Sequence, residues 1–229
     1  MMTKKIQKEL RHNSESFEDA VKYLKESCAK KKRNFNETLD IAIMLGIDPK
    51  QSTQNVKGFS VLPHGTGKSI KVIVITPNPD LQKDATTSGA IKVGFEDLIA
   101  EIDSGYLDFD TCIATPDAMQ KLSKVAKKLG PRGLMPNPKS GTVTNNIKEA
   151  VAEFVKGKVI FKNEKNGIIH CAIGKINFSD DNLVQNAQAF IKSVKEFKPE
   201  NVKGKYMLKC YLSSTMGKSV EVLEGSNTF

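Results

Sequence analysis

Tryptophan is absent from this 229-residue chain, aromatics make up 7% of it, and only three histidines occur, His12, His64 and His170, far from one another. Without closely spaced histidines there is no HExxH zinc motif, and no nucleophile elbow is present, so the usual signatures of hydrolytic catalysis are missing. Without an aromatic-rich strand the chain is unlike the sheets that stack successive single-stranded bases. The four cysteines, Cys28, Cys112, Cys171 and Cys210, lie 84, 59 and 39 residues apart, which excludes the paired spacing of zinc ribbons and redox motifs. Each sits in an apolar setting, as in Asp110-Thr111-Cys112-Ile113-Ala114, and reads as a reduced, mostly buried thiol. No metal and no cofactor are expected. No apolar run reaches the roughly 18 residues that a membrane-spanning helix needs. Met1–Arg11 carries Lys4, Lys5 and Lys8 with no apolar stretch behind them, so no secretory signal is expected and the location expected is cytoplasmic.

What the chain has in surplus is positive charge, 35 Lys and Arg against 26 Asp and Glu, a net +9. Residues 1–66 hold 12 basic against 8 acidic side chains, residues 67–157 hold 12 against 11, and residues 158–229 hold 11 against 7. Both ends are basic and the middle is nearly neutral, as expected if the ends fold into one body facing a polyanion. Solvated lysine faces are the plain alternative. The acidic group Glu96, Asp97, Glu101, Asp103, Asp108 and Asp110 reads as a solvated face that keeps the middle of the chain away from RNA.

Apolar positions at Phe17, Val21, Leu24 and Cys28 recur with a helical period behind Ser16, a suitable N-cap. The segment from Glu37 to Leu45 reads as a strand, and Val56 to Pro63 as a second extended segment that ends in His64-Gly65-Thr66-Gly67-Lys68, a glycine-rich break suited to a hinge. Beyond it strands alternate with helices: strands over Ile70–Thr76 and Phe109–Ala114, helices over Leu81–Thr87, Glu96–Asp103, Pro116–Leu129 (capped by Thr115) and Ile147–Val155. This alternation implies a small doubly wound sheet. From Gly157 on, Lys158–Lys162 and Ile168–Ile173 read as a hairpin closed by Asn166-Gly167, followed by a helix over Ser179–Phe197 and a final strand over Lys205–Leu212. The expected organisation is a split domain from residues 1–66 and 158–229, with residues 67–157 inserted and Gly65, Gly67 and Gly157 at the crossings as hinge candidates.

Gly65-Thr66-Gly67-Lys68-Ser69 imitates the end of a phosphate-binding loop. Leu62 stands where that loop needs its first glycine, and a strand rather than a helix follows, so the match fails on both counts. A nucleotide-using α/β enzyme remains the rival reading from another class, and a purely protein-binding scaffold a third. Phe35 beside the basic run Lys31-Lys32-Arg33, and Ser213-Ser214-Thr215-Met216-Gly217-Lys218, are the isolated candidates for contacts to phosphate and ribose. Their bland alternatives are a core phenylalanine and an ordinary turn.

The segment from Lys128 to Thr144, KLGPRGLMPNPKSGTVT, resembles the signature of the bacterial large-subunit ribosomal protein L-one family. Val61–Gly67, Leu107–Asp110 with Ile113–Asp117, Lys165–His170 and Ser214–Gly217 agree with that family in order and spacing, so the similarity covers about residues 34–222. Residues 1–30 match it poorly, and the tail Glu224–Phe229 has no counterpart in it. The resemblance implies an α/β and α+β protein of two domains: a split α+β domain from both termini that binds 23S ribosomal RNA, and an inserted Rossmann-like three-layer α/β domain. It further implies a structural role in the mobile stalk beside the exit site, help in releasing deacylated tRNA, repression of its own operon's mRNA, and no enzymatic activity. A monomer is expected away from the ribosome. The RNA-contacting positions it implies are Phe35, Thr38, Lys165, His170, Thr215, Met216 and Gly217, to which Lys209 is added as a further candidate.

Overall fold

The structure, a computed structural model, describes residues 12–14, 16–31, 33–202 and 204–223. The segments Met1–Arg11, read above for a secretory signal, and Glu224–Phe229 lie outside the described residues. In chain order the elements are β1 (His12–Ser14), α1 (Phe17–Lys30), β2 (Thr38–Leu45), β3 (Lys57–Val61), β4 (Val72–Ile75), α2 (Pro79–Thr87), β5 (Lys92–Gly94), α3 (Glu96–Ser104), β6 (Thr111–Ala114) and α4 (Pro116–Leu122). There follow α5 (Ala126–Leu129), α6 (Ile147–Lys156), β7 (Lys158–Lys162), β8 (Ile168–Lys175), α7 (Asp180–Glu196), β9 (Met207–Ser214) and β10 (Ser219–Val222). The protein is mixed α/β, and its backbone contacts separate it into two compact units, the described parts of Met1–Gly67 with Val159–Phe229, and Lys68–Lys158.

In the first unit a five-stranded sheet runs in the order β1-β10-β9-β2-β8. Strand β2, between β9 and β8, is antiparallel to both neighbours, with Ala42 opposite His170 on one side and Tyr211 on the other. Strand alternation sends Leu39, Ile41 and Ile43 to one face, where Ile169, Ile173 and Leu212 join them. Helices α1 and α7 cover that face with Leu24, Leu183, Phe190 and Val194. Each such side chain removed from water stabilises the unit by about 1.5–3 kcal/mol. Ser16 caps α1 by accepting from the Asp19 amide (3.1 Å), and Ser179 caps α7 by accepting from the Asn182 amide (3.3 Å).

The expected hairpin between Lys158–Lys162 and Ile168–Ile173 does not form as one ladder. The chain does reverse at Glu164–Gly167, where Gly167 takes a φ of 72° and its amide bonds to the Glu164 carbonyl. Beyond a single bridge from Asn163 to Ile169, however, β7 leaves to pair with β3 in a two-stranded sheet while β8 joins β2. Asn163 directs the departure, because its amide donates to the Val56 carbonyl (2.9 Å) and its Oδ1 accepts from the Val56 amide (2.8 Å). Burial of Phe161 edge-on against Phe190 and Phe197 then holds β7 in place. The Asn-Gly signal fixed a turn, and non-local packing chose the partners.

The second unit is a parallel sheet in the order β5-β4-β6. All four residues of β4 are buried; Val72 and Val74 face α2 and α6, whereas Ile73 and Ile75 face α3, α4 and α5. The single helix expected over Pro116–Leu129 is broken by a 3-10 turn at Ser123–Val125. There the Ser123 hydroxyl donates to the Gln120 carbonyl (2.6 Å), a local bond that competes with helical pairing. Thr115 stands at the N-cap position, but its hydroxyl makes no capping bond.

Candidate nucleic-acid interface

Because Leu39 lies opposite Ser214 in the β2–β9 ladder, the loop entering β2 (residues 33–37) and the turn leaving β9 (residues 215–218) come together, although about 180 residues separate them in the chain. Thr38 and Thr215 lock the junction. The Thr38 amide donates to Thr215 Oγ1 (3.1 Å), while the Thr215 amide donates to the Thr38 carbonyl (3.0 Å). Lys175, at the end of β8, donates to Thr38 Oγ1 (2.8 Å) and reaches the Asn36 carbonyl (3.4 Å). Both threonine hydroxyls are thus engaged internally, and they position the surface before they present anything to a ligand.

Beneath this junction is a polar network. Glu37 is only 4% exposed, and its carboxylate pairs with Arg33 and accepts from the Cys28 thiol (3.0 Å), which also lies 3.2 Å from Ser214 Oγ. Burial opposes ionisation of Glu37, but hydrogen bonds from Cys28, Arg33 and Ser214 outweigh it and hold the carboxyl below its ordinary range. Burial, reinforced by Glu37, pushes the Cys28 thiol up. Arg33 also donates to the Met216 carbonyl (2.9 Å), so one guanidinium ties the buried carboxylate to the outer turn.

That turn has an unusual backbone. Gly217 closes it by donating to the Ser214 carbonyl (2.8 Å), and a Cβ at Gly217 would fall 2.1 Å from Ser214 Oγ, so a side chain there would have to push that hydroxyl from its place beside Cys28. Met216, with φ 57°, is the one non-glycine residue in the left-handed region among the described residues, a conformation that costs about 1–2 kcal/mol. It is nevertheless 82% exposed, and nearby Phe35 is 49% exposed. Two large apolar side chains, one on strained backbone, are therefore held out into solvent, a combination suited to contact with a partner.

Five of the eight candidates, Phe35, Thr38, Thr215, Met216 and Gly217, gather here. His170 is exposed at mid-strand on β8, 3.9 Å from Glu164. Lys209, opposite Met44, pairs with Glu221 (2.9 Å), and this bond raises its pKa. Both lie on the sheet face that α1 and α7 leave open. Lys165 is in the Glu164–Gly167 turn, at the other end of β8, about 23 Å along the strand from Lys175 at ~3.3 Å per residue. Of the residues that build the junction from within, Ser214 lies in the run the sequence singles out and Cys28 on its helical stripe, whereas Lys175 and Glu37 carry no signal beyond the i,i+4 spacing of Arg33 and Glu37.

The three hinge candidates share a property: Gly65, Gly67 and Gly157 have φ of 64°, 71° and 125°. Asn186, fully buried on α7, anchors the first crossing by donating to the Gly65 carbonyl (2.9 Å) and the Ile173 carbonyl (2.7 Å) and accepting from the His64 amide (3.1 Å).

Charge differs between the units. The first carries 22 basic against 15 acidic residues, the second 13 against 11. In the second, five of the six residues of the acidic group are paired: Asp110 with Lys68, Asp108 with Lys71, Glu101 with Lys92, Glu96 with Lys121 and Asp103 with Lys128. It is a charge-compensated surface rather than a bare acidic face. Such exposed pairs add little stability, but they cancel the field that would draw a polyanion.

No helix among the described residues is long and apolar enough to cross a membrane. The family model described as "Ribosomal protein L1p/L10e family" matches residues 24–218, which takes in both units and every candidate contact residue. A cationic unit with a preformed apolar and hydroxyl-bearing edge accords with that match, and the chain belongs to the ribosomal protein L1p/L10e family, structural proteins of the large ribosomal subunit in the cytoplasm rather than enzymes.

Proposed function

We propose that the split unit, residues 1–66 with 158–229, binds a folded segment of 23S ribosomal RNA through the junction of Phe35, Thr38, Thr215, Met216 and Gly217, with His170, Lys165 and Lys209 extending the contact along the open sheet face. The observation that carries this reading is Met216, held 82% exposed on left-handed backbone in the turn that Arg33 ties to the loop bearing Phe35. Folded RNA offers the complementary chemistry: ribose edges for the apolar side chains, 2′-hydroxyls for the threonine hydroxyls and backbone, and phosphates for Lys175 and Lys218. The inserted Rossmann-like domain, with its charges paired, then rides beside the RNA, and Gly65, Gly67 and Gly157 let it move as the mobile part of the stalk. Help in releasing deacylated tRNA from the exit site, and repression of the protein's own operon mRNA through an RNA that imitates the ribosomal site, rest on the family alone.

The test is a mobility-shift titration of the full chain with a large-subunit rRNA stalk fragment at several salt concentrations. Log affinity should fall with log salt by about 0.7–0.9 per phosphate neutralised. Binding as tight to an unrelated RNA hairpin of equal length would overturn the assignment. Competition by an RNA transcribed from the operon leader tests the repressor role, and failure to compete would remove it.

A further inference from the structure

Behind Phe35 lies an open cavity of about 550 Å³ in the first unit, walled by the end of α1 (Lys25, Cys28, Ala29), the loop from Arg33 to Glu37, and Ile176-Asn177. Its volume is that of a small-molecule site, which runs to about 300–1,000 Å³. We propose that it receives one unpaired nucleotide, extruded from the same RNA that the Phe35–Met216 junction holds; the inference rests on the RNA-binding reading and gives that site a specificity pocket.

Three features carry it. Phe35 is half exposed, and the cavity adjoins it, so the ring supplies a stacking face at the edge of the space. Asn34, Asn36 and Asn177 line the cavity as exposed residues whose side-chain amides bond to nothing among the described residues. Each offers donors and an acceptor, the complement a base edge needs. Last, the cations of the wall are already fixed. Lys25 is held by Asp180 and the Phe178 carbonyl, and Arg33 by Glu37 and the Met216 carbonyl. Rigid walls with unspent amides select a base, whereas mobile lysines would collect any phosphate.

The experiment is an abasic scan of the unpaired positions of a synthetic stalk-rRNA fragment against the full chain and against Ala29→Trp, which fills the cavity from an exposed helical position. Asn36→Ala with Asn177→Ala serves as a second variant that cannot overpack the wall, and circular dichroism checks that each is folded. One abasic position should weaken binding to the native chain by about 5- to 100-fold, the range for losing one stacked base. Ala29→Trp should weaken the intact RNA by a similar factor, keep the salt slope, and make that abasic position neutral. The double asparagine variant should reduce the discrimination among bases at that position. If no abasic position matters, or if its effect is the same in Ala29→Trp, the pocket holds no nucleotide, while undiminished binding of the intact RNA leaves the junction reading standing. If the native chain does not bind the fragment at all, it is the junction reading that falls.

Discussion

Met216→Gly separates a residue that holds the fold from one that the fold holds out for a partner. The left-handed backbone at Met216 costs a residue with a Cβ about 1–2 kcal/mol, and glycine removes that strain while adding roughly 0.5–1 kcal/mol of unfolded-state entropy. The side chain is 82% exposed, so its loss forfeits little packing. Stability should therefore stay level or rise by about 1 kcal/mol, an increase of roughly 2–4 °C in Tm for a chain of this size. Affinity for the stalk RNA should move the other way. A methionine fully desolvated on binding contributes about 1.5–3 kcal/mol, or on the order of 10- to 150-fold in Kd. Differential scanning fluorimetry and a mobility shift on the same preparation measure both. Met216→Asn, which also tolerates this backbone, should reproduce the separation. Unchanged affinity, or a Tm that drops by several degrees, would refute the reasoning, because the side chain would then be idle or structural.

Glu37→Gln should destabilise the fold by about 1–3 kcal/mol at neutral pH by weakening the bonds to Arg33 and Cys28. Since the folded carboxyl lies below its unfolded value, that stability is present above the ordinary carboxyl range and is lost as pH falls through the folded pKa, so urea melts of the native chain and the variant should converge in acid. Asp40 behaves oppositely: burial raises its pKa more than Lys175 and His170 lower it, so its ionised form is penalised, and Asp40→Asn should raise Tm at pH 7 with no gain once Asp40 is protonated. Asn186→Leu leaves two carbonyls and the His64 amide unpaired and should cost about 3 kcal/mol, read by denaturant melts and by faster hydrogen exchange at His64. Cys112, Cys171 and Cys210, each pushed up to about 12 by burial, should resist iodoacetamide in the native protein and react only when it is unfolded.

Helices α1 and α7 and the buried strands β4 and β6 were legible because each carries a strong periodic or continuous apolar pattern with a cap or break at its end. The strands β1, β5 and β10 were not, since three or four residues such as Ser219-Val220-Glu221-Val222 contain too little alternation to stand out. The Lys158–Ile173 hairpin was misread because Asn166-Gly167 fixes a reversal without fixing which strands pair. At the candidate site the residue physics gives a basic run beside Phe35 and the run Ser213–Lys218, and the resemblance narrows that run to Thr215, Met216 and Gly217 and adds Thr38. No local rule leads to Met216, because propensity argues against methionine in left-handed backbone. Lys165 in the turn and His170 on the strand after it stand where the hairpin reading puts them, but that strand pairs with β2 and not with β7.

The junction gathers three departures from ordinary folding preference within a short stretch of two ladders: a buried carboxylate at Glu37, a left-handed methionine at 216 and a half-exposed phenylalanine at 35. Separately each is unfavourable, and scattered over a surface they would simply lower stability. Arg33 makes them one system, since the guanidinium that neutralises Glu37 also binds the Met216 carbonyl and so helps hold the strained turn. Cys28 and Ser214 bring α1 and β9 into the same network. The strain is therefore met by hydrogen bonds drawn from both ends of the chain, which can exist only after β2 and β9 have paired. A surface so assembled is rigid before any partner arrives, and little ordering entropy remains to oppose binding. Departures from local preference are expected where function and not stability sets the residue, and their convergence on one guanidinium is the physical reason to centre the proposed contact surface on this end of β2 and β9.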